Sequence, residues 1–250
     1  MRYFLKLAYR GTPYVGWQKQ PNGISVQEIL ETSLNKILRT ECHIVGCGRT
    51  DAGVHALQYY AHFDPEMDSI PPETLHRLNR MLPPDIAIND IFPVPLDLHA
   101  RYSAIRRTYR YEISGTPDPF KRDLVYCFYG FDKLDRNRMQ QMADLLLDYD
   151  AFFPFCKTNS DTEHYLCNIY QAGWQENASG MTFTISANRF LRGMVRLIVG
   201  MSLQIGLGKV DLSTVRKAMD EQKPLSRSLS APAHGLFLTE INYPESMSLR

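Results

Sequence analysis

The sequence has few cysteines, no long apolar run and almost no net charge. Five cysteines in 250 residues, with no CxxC pair, argue against a disulfide framework or a zinc ribbon. The spacing of Cys156, His164 and Cys167 fits no usual zinc pattern either. No apolar run approaches membrane-spanning length, and the strand-like, charged N-terminus is unlike a signal peptide. We therefore expect a cytoplasmic globular protein with free thiols.

Charge is distributed unevenly, although the formal net charge is only +1. Residues 99–122 hold six Lys or Arg against two Asp or Glu, and residues 180–217 hold six against one. Residues 132–164 hold four basic residues against seven acidic ones. A polarised surface of this kind is compatible with a face that binds phosphate groups.

The most informative stretch is a short polar loop between two strand-like runs. Gly48 and Gly53 bracket Asp51, which predicts a tight loop that holds the carboxylate in a defined pose. Arg49 lies two residues earlier, and a carboxylate beside a fixed cation stays ionised, as a nucleophile or an anionic anchor requires. The plainer alternative is a turn in which Asp51 bonds its own backbone. His55 lies near, but no Ser or Cys nucleophile accompanies it, so an Asp–His hydrolase is unsupported.

Hydrophobic periodicity predicts the order β-α-β-β-α-β for the first part of the chain. The expected strands span 3–9, 42–46, 57–63 and 87–92. A capping box at Ser25 and Glu28 starts the first helix, and two proline pairs bound the second. This order suits a ferredoxin-like unit with Asp51 in the loop between its second and third strands.

The rest of the chain predicts a similar order. The expected strands span 108–114, 124–129, 167–175, 181–187 and 236–243, and the expected helices start at 135, 190 and 211 or 213. We therefore predict an α+β protein of two ferredoxin-like halves, 1–104 and 105–250. Their mainly antiparallel sheets are expected side by side, with an active-site cleft between them that Asp51 faces.

An alternating basic and aromatic strand is a second candidate for function. Alternation places Arg107, Tyr109 and Tyr111 on one face and Arg106, Thr108 and Arg110 on the other. The pattern fits an edge strand with solvated arginines and tyrosine rings in the core. It equally fits a tyrosine at a base-binding site, flanked by arginines that grip phosphates.

Three arginines on the predicted helix 190–205 and just before it share one stripe. Arg189 and Arg192 are expected to reach solvent or phosphate. Arg196 lies among apolar residues and is costly to bury unless a carboxylate pairs with it. Asp51 is the partner that we nominate.

Segments over nearly the whole chain resemble the tRNA pseudouridine synthase A (TruA) family. The most specific is Gly-Arg-Thr-Asp-Ala-Gly-Val-His at 48–55. The others are Tyr-Arg-Gly at 9–11, Gly-Trp-Gln at 16–18, Ser-Val-Gln at 25–27, His-Ala-Arg-Tyr-Ser-Ala at 99–104, Tyr-Arg-Tyr at 109–111, Met-Val-Arg-Leu-Ile-Val-Gly at 194–200 and Gly-Leu-Phe-Leu at 235–238.

The resemblance implies conversion of uridine to pseudouridine at tRNA positions 38, 39 and 40 by a homodimer that needs no cofactor or metal. Asp51 would be the catalytic carboxylate, with Arg196 paired to it and Tyr109 against the target base. Arg49 would hold the base or the space it leaves. The arginines expected to contact the RNA are Arg107, Arg110 and Arg192.

Two departures from the family pattern leave the substrate range open. Residues 156–168 lack basic residues expected there, and residues 190–194 differ in detail. A paralogue acting on another RNA is therefore an alternative. A non-catalytic RNA-binding or tRNA-folding protein, which would not need Asp51, is another.

Overall fold

The computed structural model describes residues 1–157, 164–225 and 229–244. The chain divides into two compact units. The first comprises Met1–Ile105 and the chain from Phe237 onward, and the second comprises Arg106–Leu236. The halves predicted from the sequence were 1–104 and 105–250. In the structure, the chain from Phe237 onward, with most of the last strand, groups with the first unit.

The first unit follows the predicted element order. Its elements are β1 (Arg2–Tyr9), α1 (Val26–Leu38), β2 (Val45–Gly46), β3 (His55–Phe63), α2 (Thr74–Met81) and β4 (Ile86–Val94). The second unit contains β5 (Arg106–Ser114), β6 (Tyr126–Cys127), α3 (Arg136–Leu145), β7 (Ile169–Asn177), β8 (Gly180–Ala187), α4 (Met194–Gly206) and α5 (Leu212–Glu221). The final strand is β9 (Leu236–Asn242).

Strand pairing in each unit is mainly antiparallel. In the first unit β1 lies between β4 and β3, β2 pairs with β3, and all of these pairs are antiparallel. The final strand β9 runs parallel to β3, with His55 opposite Phe237. In the second unit β8 lies between β5 and β7 in antiparallel pairs, and β6 joins β5 in parallel. The predicted α+β class with mainly antiparallel strands is confirmed.

Local sequence signals account for several element ends. Ser25 caps α1, its side chain accepting a hydrogen bond from the Glu28 backbone N–H at 3.2 Å, as the capping box predicts. Asp135 caps α3 in the same way through the Arg138 N–H at 3.1 Å. The strands β2 and β6 are only two residues long, shorter than predicted.

The predicted start of the long apolar helix is wrong. It begins at Met194, because Gly193 precedes it in a left-handed conformation with φ +70°. Arg189 and Arg192 therefore lie before α4 and do not form a helical stripe with Arg196. Within α4, apolar residues are buried around most of the circumference, which is typical of a helix at the centre of a core.

Candidate active site

The loop that carries Asp51, residues 47–54, joins β2 to β3 in the first unit. Thr50 and Val54 are buried, whereas Asp51 is partly exposed and Arg49 is exposed. The Val54 N–H donates to the Asp51 carbonyl at 3.1 Å, which closes a turn around Ala52 and Gly53. The backbone of this Asp51 loop is thus anchored in the unit while its carboxylate residue lies at the surface.

Two aromatic residues from outside the loop hold its first half. The Tyr9 hydroxyl and the Thr50 Oγ1 form a buried hydrogen bond of 2.8 Å. The Tyr59 hydroxyl donates to the Gly48 carbonyl. Because these bonds fix residues on the N-terminal side of Asp51, they limit how far the carboxylate can move.

The segment 11–17 also contacts this loop, both before and after Asp51. The Trp17 N–H donates to the Thr50 carbonyl at 3.3 Å, and the Trp17 ring stacks on Tyr59 with 4.1 Å between centroids. The Gly53 N–H donates to the Tyr14 carbonyl at 3.3 Å. Burial, reinforced by the nearby Asp85 carboxylate, raises the pKa of Tyr14 well above its usual value. This tyrosine therefore remains a hydrogen-bond donor, to Asp85 at 2.5 Å.

His55 contributes to structure rather than to a hydrolytic pair. It is buried, its Nδ1 accepts the Gly11 N–H at 3.0 Å, and its ring stacks on Phe237 at 4.7 Å. A side chain at Gly11 would place its Cβ 1.9 Å from the Val54 carbonyl oxygen, so only glycine permits this approach. His55 thus joins the segment around Gly11 to the end of the Asp51 loop. No signal in the sequence separates this role from a catalytic one.

Strand β5 of the second unit divides its tyrosines between core and surface. Tyr111 is fully buried, and its hydroxyl donates to the Pro232 carbonyl at 2.8 Å. Burial raises the pKa of Tyr111, which keeps this phenol protonated. Tyr109 is only partly buried and meets the Phe190 ring edge-on at 5.2 Å. Tyr111 therefore follows the core interpretation of the pattern, and Tyr109 keeps surface that a base can reach.

The arginines of β5 have partners within their own unit. Arg107 Nη1 donates to the Asn188 carbonyl at 2.7 Å. Arg110 Nε lies 2.6 Å from the Glu112 carboxylate. A phosphate at Arg110 would have to share this cation with Glu112.

Arg106, on the opposite face from Arg107, also has a protein partner. Its Nη2 donates to the Ser186 Oγ at 2.8 Å, and its guanidinium lies 5.7 Å from the Tyr170 ring centroid. Tyr170 is 50% exposed, and an exposed aromatic ring can stack on an unpaired base.

Arg196 is fixed by the chain that crosses α4. Its Nε donates to the Ala231 carbonyl at 2.7 Å, and its own carbonyl accepts the Ala231 N–H at 2.9 Å. Gly200 allows this crossing, since a Cβ there would lie 1.7 Å from the Leu229 carbonyl oxygen. Burial lowers the pKa of His234, and the charge of Arg196 adds to that lowering. Arg192, by contrast, is exposed.

The predicted site residues fall into two groups. Arg49 and Asp51 belong to the first unit, and the structure brings them together in one loop. Tyr109, Arg192 and Arg196 belong to the second unit, where Phe190 joins Tyr109. The pairing of Asp51 with Arg196 stays a prediction. The supports of the loop, Tyr9, Trp17 and Tyr59, were missed as such because pairing between distant strands leaves no local sequence signal.

The described residues contain neither a metal-binding cluster nor a membrane-spanning helix. Within residues 1–157, 164–225 and 229–244, no three His, Cys, Asp or Glu side chains form a group able to hold a metal. Cys156, His164 and Cys167 therefore do not form such a group. All five cysteines are free thiols. No helix in the described part of the chain is long and apolar enough to cross a membrane. Part of the atypical segment 156–168, residues 158–163, lies outside the described residues.

Fold and loop together define an α+β protein that presents a carboxylate on a rigid polar loop. The family model described as tRNA pseudouridine synthase matches residues 7–103 and 147–244. The chain therefore belongs to the tRNA pseudouridine synthase family, whose members are isomerases.

Individual relatives match over almost their full length. The tRNA pseudouridine synthase A of Bacteroides thetaiotaomicron is 44% identical over 98% of this chain and 92% of its own. The protein of that name from Parabacteroides distasonis is 42% identical over 98% of this chain and 97% of its own. That from Chlamydia muridarum is 37% identical over 97% and 92%, respectively.

Proposed function

We propose that this protein isomerises uridine to pseudouridine at positions 38, 39 and 40 in the tRNA anticodon stem-loop, with Asp51 as the catalytic carboxylate. The observation that carries this proposal is the Asp51 loop. Its backbone is pinned through Gly48, Thr50 and Gly53, while Asp51 itself remains partly exposed. Membership of the tRNA pseudouridine synthase family supports the reaction and the RNA class.

The reaction is an isomerisation, so its atoms balance without a cofactor. The N1–C1′ bond breaks, the uracil turns, and a C1′–C5 bond forms. The C5 proton leaves to a base, and N1 gains a proton. An ionised Asp51 can attack C1′, attack uracil C6 or remove the C2′ proton, and it can accept the C5 proton later.

The remaining roles follow from the resemblance. We assign to Arg196 the role of the cation that keeps Asp51 ionised. We place the Tyr109 ring against the face of the target base. Arg49 holds the base or the space it leaves. Because the base must leave its stack before it can react, groups that stabilise the opened RNA lower the cost of reaching the site.

Phosphate contacts are assigned to Arg107, Arg110 and Arg192. Arg192 is exposed, which favours such a contact. Arg107 and Arg110 engage Asn188 and Glu112, and phosphate binding would exchange or share these partners. A homodimer and a cytoplasmic location complete the proposal.

Position specificity can be tested with transcripts of one tRNA that carry a single uridine at 38, 39 or 40. We expect pseudouridine in each of the three, and none when uridine occurs only at position 35. Conversion elsewhere with these three untouched would contradict the assigned positions and favour a paralogue with another target.

A further inference from the structure

The second unit contains an open cavity of about 520 Å³, and its lining includes none of the residues assigned to catalysis. Its lining residues are mostly apolar or aromatic; they are Ala151, Phe153, His164, Tyr165, Leu166 and Gln222. The volume lies within the roughly 300–1,000 Å³ typical of small-ligand pockets. We call this feature the aromatic cavity.

We propose that the aromatic cavity binds an unpaired base of the substrate tRNA, other than the uridine that reacts. This inference rests on the proposed function, because it takes tRNA as the ligand. It adds a second point at which the protein recognises the opened RNA.

The walls of the cavity are held in place without a ligand. Residues 151 and 166 form a β-bridge, flanked by hydrogen bonds from the Phe152 N–H to the Tyr165 carbonyl at 2.9 Å and from the Cys167 N–H to the Asp150 carbonyl at 2.8 Å. The rings of Phe153 and Tyr165 lie 4.8 Å apart at 78°. A ligand would therefore meet preformed ring surfaces, which lowers the entropic cost of binding.

The one amide in the lining is already engaged. Gln222 Nε2 donates to the carbonyls of Ala151 at 3.0 Å and Met219 at 2.6 Å, and its Oε1 accepts the Phe153 N–H at 3.2 Å. This amide contributes little to reading hydrogen-bonding edges. Stacking on rings, which every base can do, remains the main source of affinity.

One basic side chain, that of Arg189, contacts a lining residue of the cavity. Arg189 Nη1 is 2.9 Å from Nε2 and 3.1 Å from Nδ1 of His164, which lines the cavity. Cations next to aromatic walls suit a nucleotide, whose base stacks while its phosphate meets the charge.

Carboxylates near Gln222 have their own partners. Asp220 accepts the Tyr149 hydroxyl at 2.5 Å, and Glu221 pairs with Lys223 at 2.9 Å. Arg189, which contacts the lining residue His164, is the cation that can meet a phosphate while the base stacks on the rings.

The test fills the cavity with a larger side chain. Leu166 is 50% exposed, so Leu166→Trp can occupy the cavity without disturbing the core. Leu147→Trp is the matched control, because Leu147 is 49% exposed and is not among the lining residues. Affinity for an unmodified tRNA transcript is measured by filter binding, after thermal melting has shown that both variants fold. We expect Leu166→Trp to weaken binding by roughly 10-fold and Leu147→Trp to leave it unchanged.

A second variant removes a wall instead of filling the space. Tyr165→Leu should weaken tRNA binding in the same direction, and it replaces Leu166→Trp should that variant misfold. Binding equal to that of Leu147→Trp would overturn the cavity proposal, whatever the activity. Absence of pseudouridine formation by the unchanged protein would instead contradict the proposed function, so the two failures are distinguishable.

Discussion

Asp51 owes its position to side chains that lie outside its own loop. Tyr9 and Tyr59 come from strands on either side of it in the sequence, and Trp17 packs on Tyr59. The motif at 48–55 identifies the carboxylate, but it carries no information on these supports. They become visible only when β1 and β3 are paired.

The Tyr59 hydroxyl gives the first prediction. Tyr59→Phe keeps the ring on Trp17 but leaves the Gly48 carbonyl without this donor, so the free energy of unfolding should fall by about 1 kcal/mol. The kcat should fall by roughly 10-fold, since a small shift of a catalytic group is costly, while KM changes less. Steady-state kinetics and urea unfolding measure the two effects.

Tyr102→Phe is the control, because it is the same substitution at a tyrosine that is 76% exposed. It should match the unchanged protein in both assays. Unaltered kcat in Tyr59→Phe would mean that the Tyr59–Gly48 hydrogen bond does not position Asp51.

A buried histidine predicts acid sensitivity. Burial, with the charge of Arg2 adding to it, lowers the pKa of His62 from 6.5 to about 4, and its Nδ1 accepts the Ala100 N–H at 3.1 Å. The unfolded chain therefore binds this proton more readily than the folded one. The contribution of neutral His62 to the free energy of unfolding is fully present above pH 6.5, the pKa in the unfolded chain. It is lost as the pH falls toward 4, the pKa in the folded protein.

Because of this difference in pKa, His62 lowers the free energy of unfolding by about 2 kcal/mol when the pH falls from 7 to 5. His62→Gln keeps an acceptor for Ala100 and should remove that part of the slope, as measured by urea unfolding at both pH values. His43→Gln, at an exposed histidine, should keep the slope. Equal slopes in the two variants would show that His62 does not lower acid stability.

At the scale of elements, α4 shows what periodicity can and cannot predict. Its apolar composition predicts a buried helix, and most of its residues are buried. Its start was misplaced because Gly193, rather than a polar cap, precedes it. The chain crossing at Gly200 also escaped prediction, because it depends on residues 229–232, far away in sequence.

The close contact at Gly200 predicts that an alanine there destabilises the protein rather than stabilising it. In an exposed helix, Gly→Ala stabilises by about 1 kcal/mol. Here the new Cβ would meet the Leu229 carbonyl oxygen at 1.7 Å, so Gly200→Ala should instead destabilise, by roughly 2 kcal/mol or more. Gly173→Ala, whose Cβ meets only the Gln140 side chain at 3.7 Å, is the control. Thermal melting of the two variants measures the effect. A higher melting temperature for Gly200→Ala than for the unchanged protein would show that the chain at Leu229 does not pass so close to Gly200.

For the whole molecule, local signals were sufficient for the element order but not for the pairing. Caps at Ser25 and Asp135 and prolines around α2 mark helix ends within a few residues. The parallel pairing of β9 with β3 joins residues almost two hundred positions apart, and no local pattern encodes it. Strand order is set by burial of the sheet faces, which a single sequence does not reveal.

Net charge of +1 implies that RNA binding depends on local basic groups. Each phosphate contact contributes to the salt dependence, so Arg107→Ala and Arg110→Ala should each weaken tRNA binding and reduce the slope of log K against log salt by about 1. Arg77→Ala, on α2 and paired with Glu73, should change neither quantity. Slopes identical to that of Arg77→Ala would exclude Arg107 and Arg110 as phosphate contacts.

Replacement of Asp51 is the sharpest test of its proposed catalytic role. Formation of the C5 glycosidic bond must expel the C5 hydrogen, so tritium release from [5-³H]uridine-labelled tRNA measures the reaction. We predict release by the unchanged protein and by Asp97→Asn, an exposed control in the same unit. Asp51→Asn should lose at least about 10³-fold in rate while it still folds and binds tRNA. Release by Asp51→Asn at the normal rate would show that Asp51 is not the catalytic carboxylate.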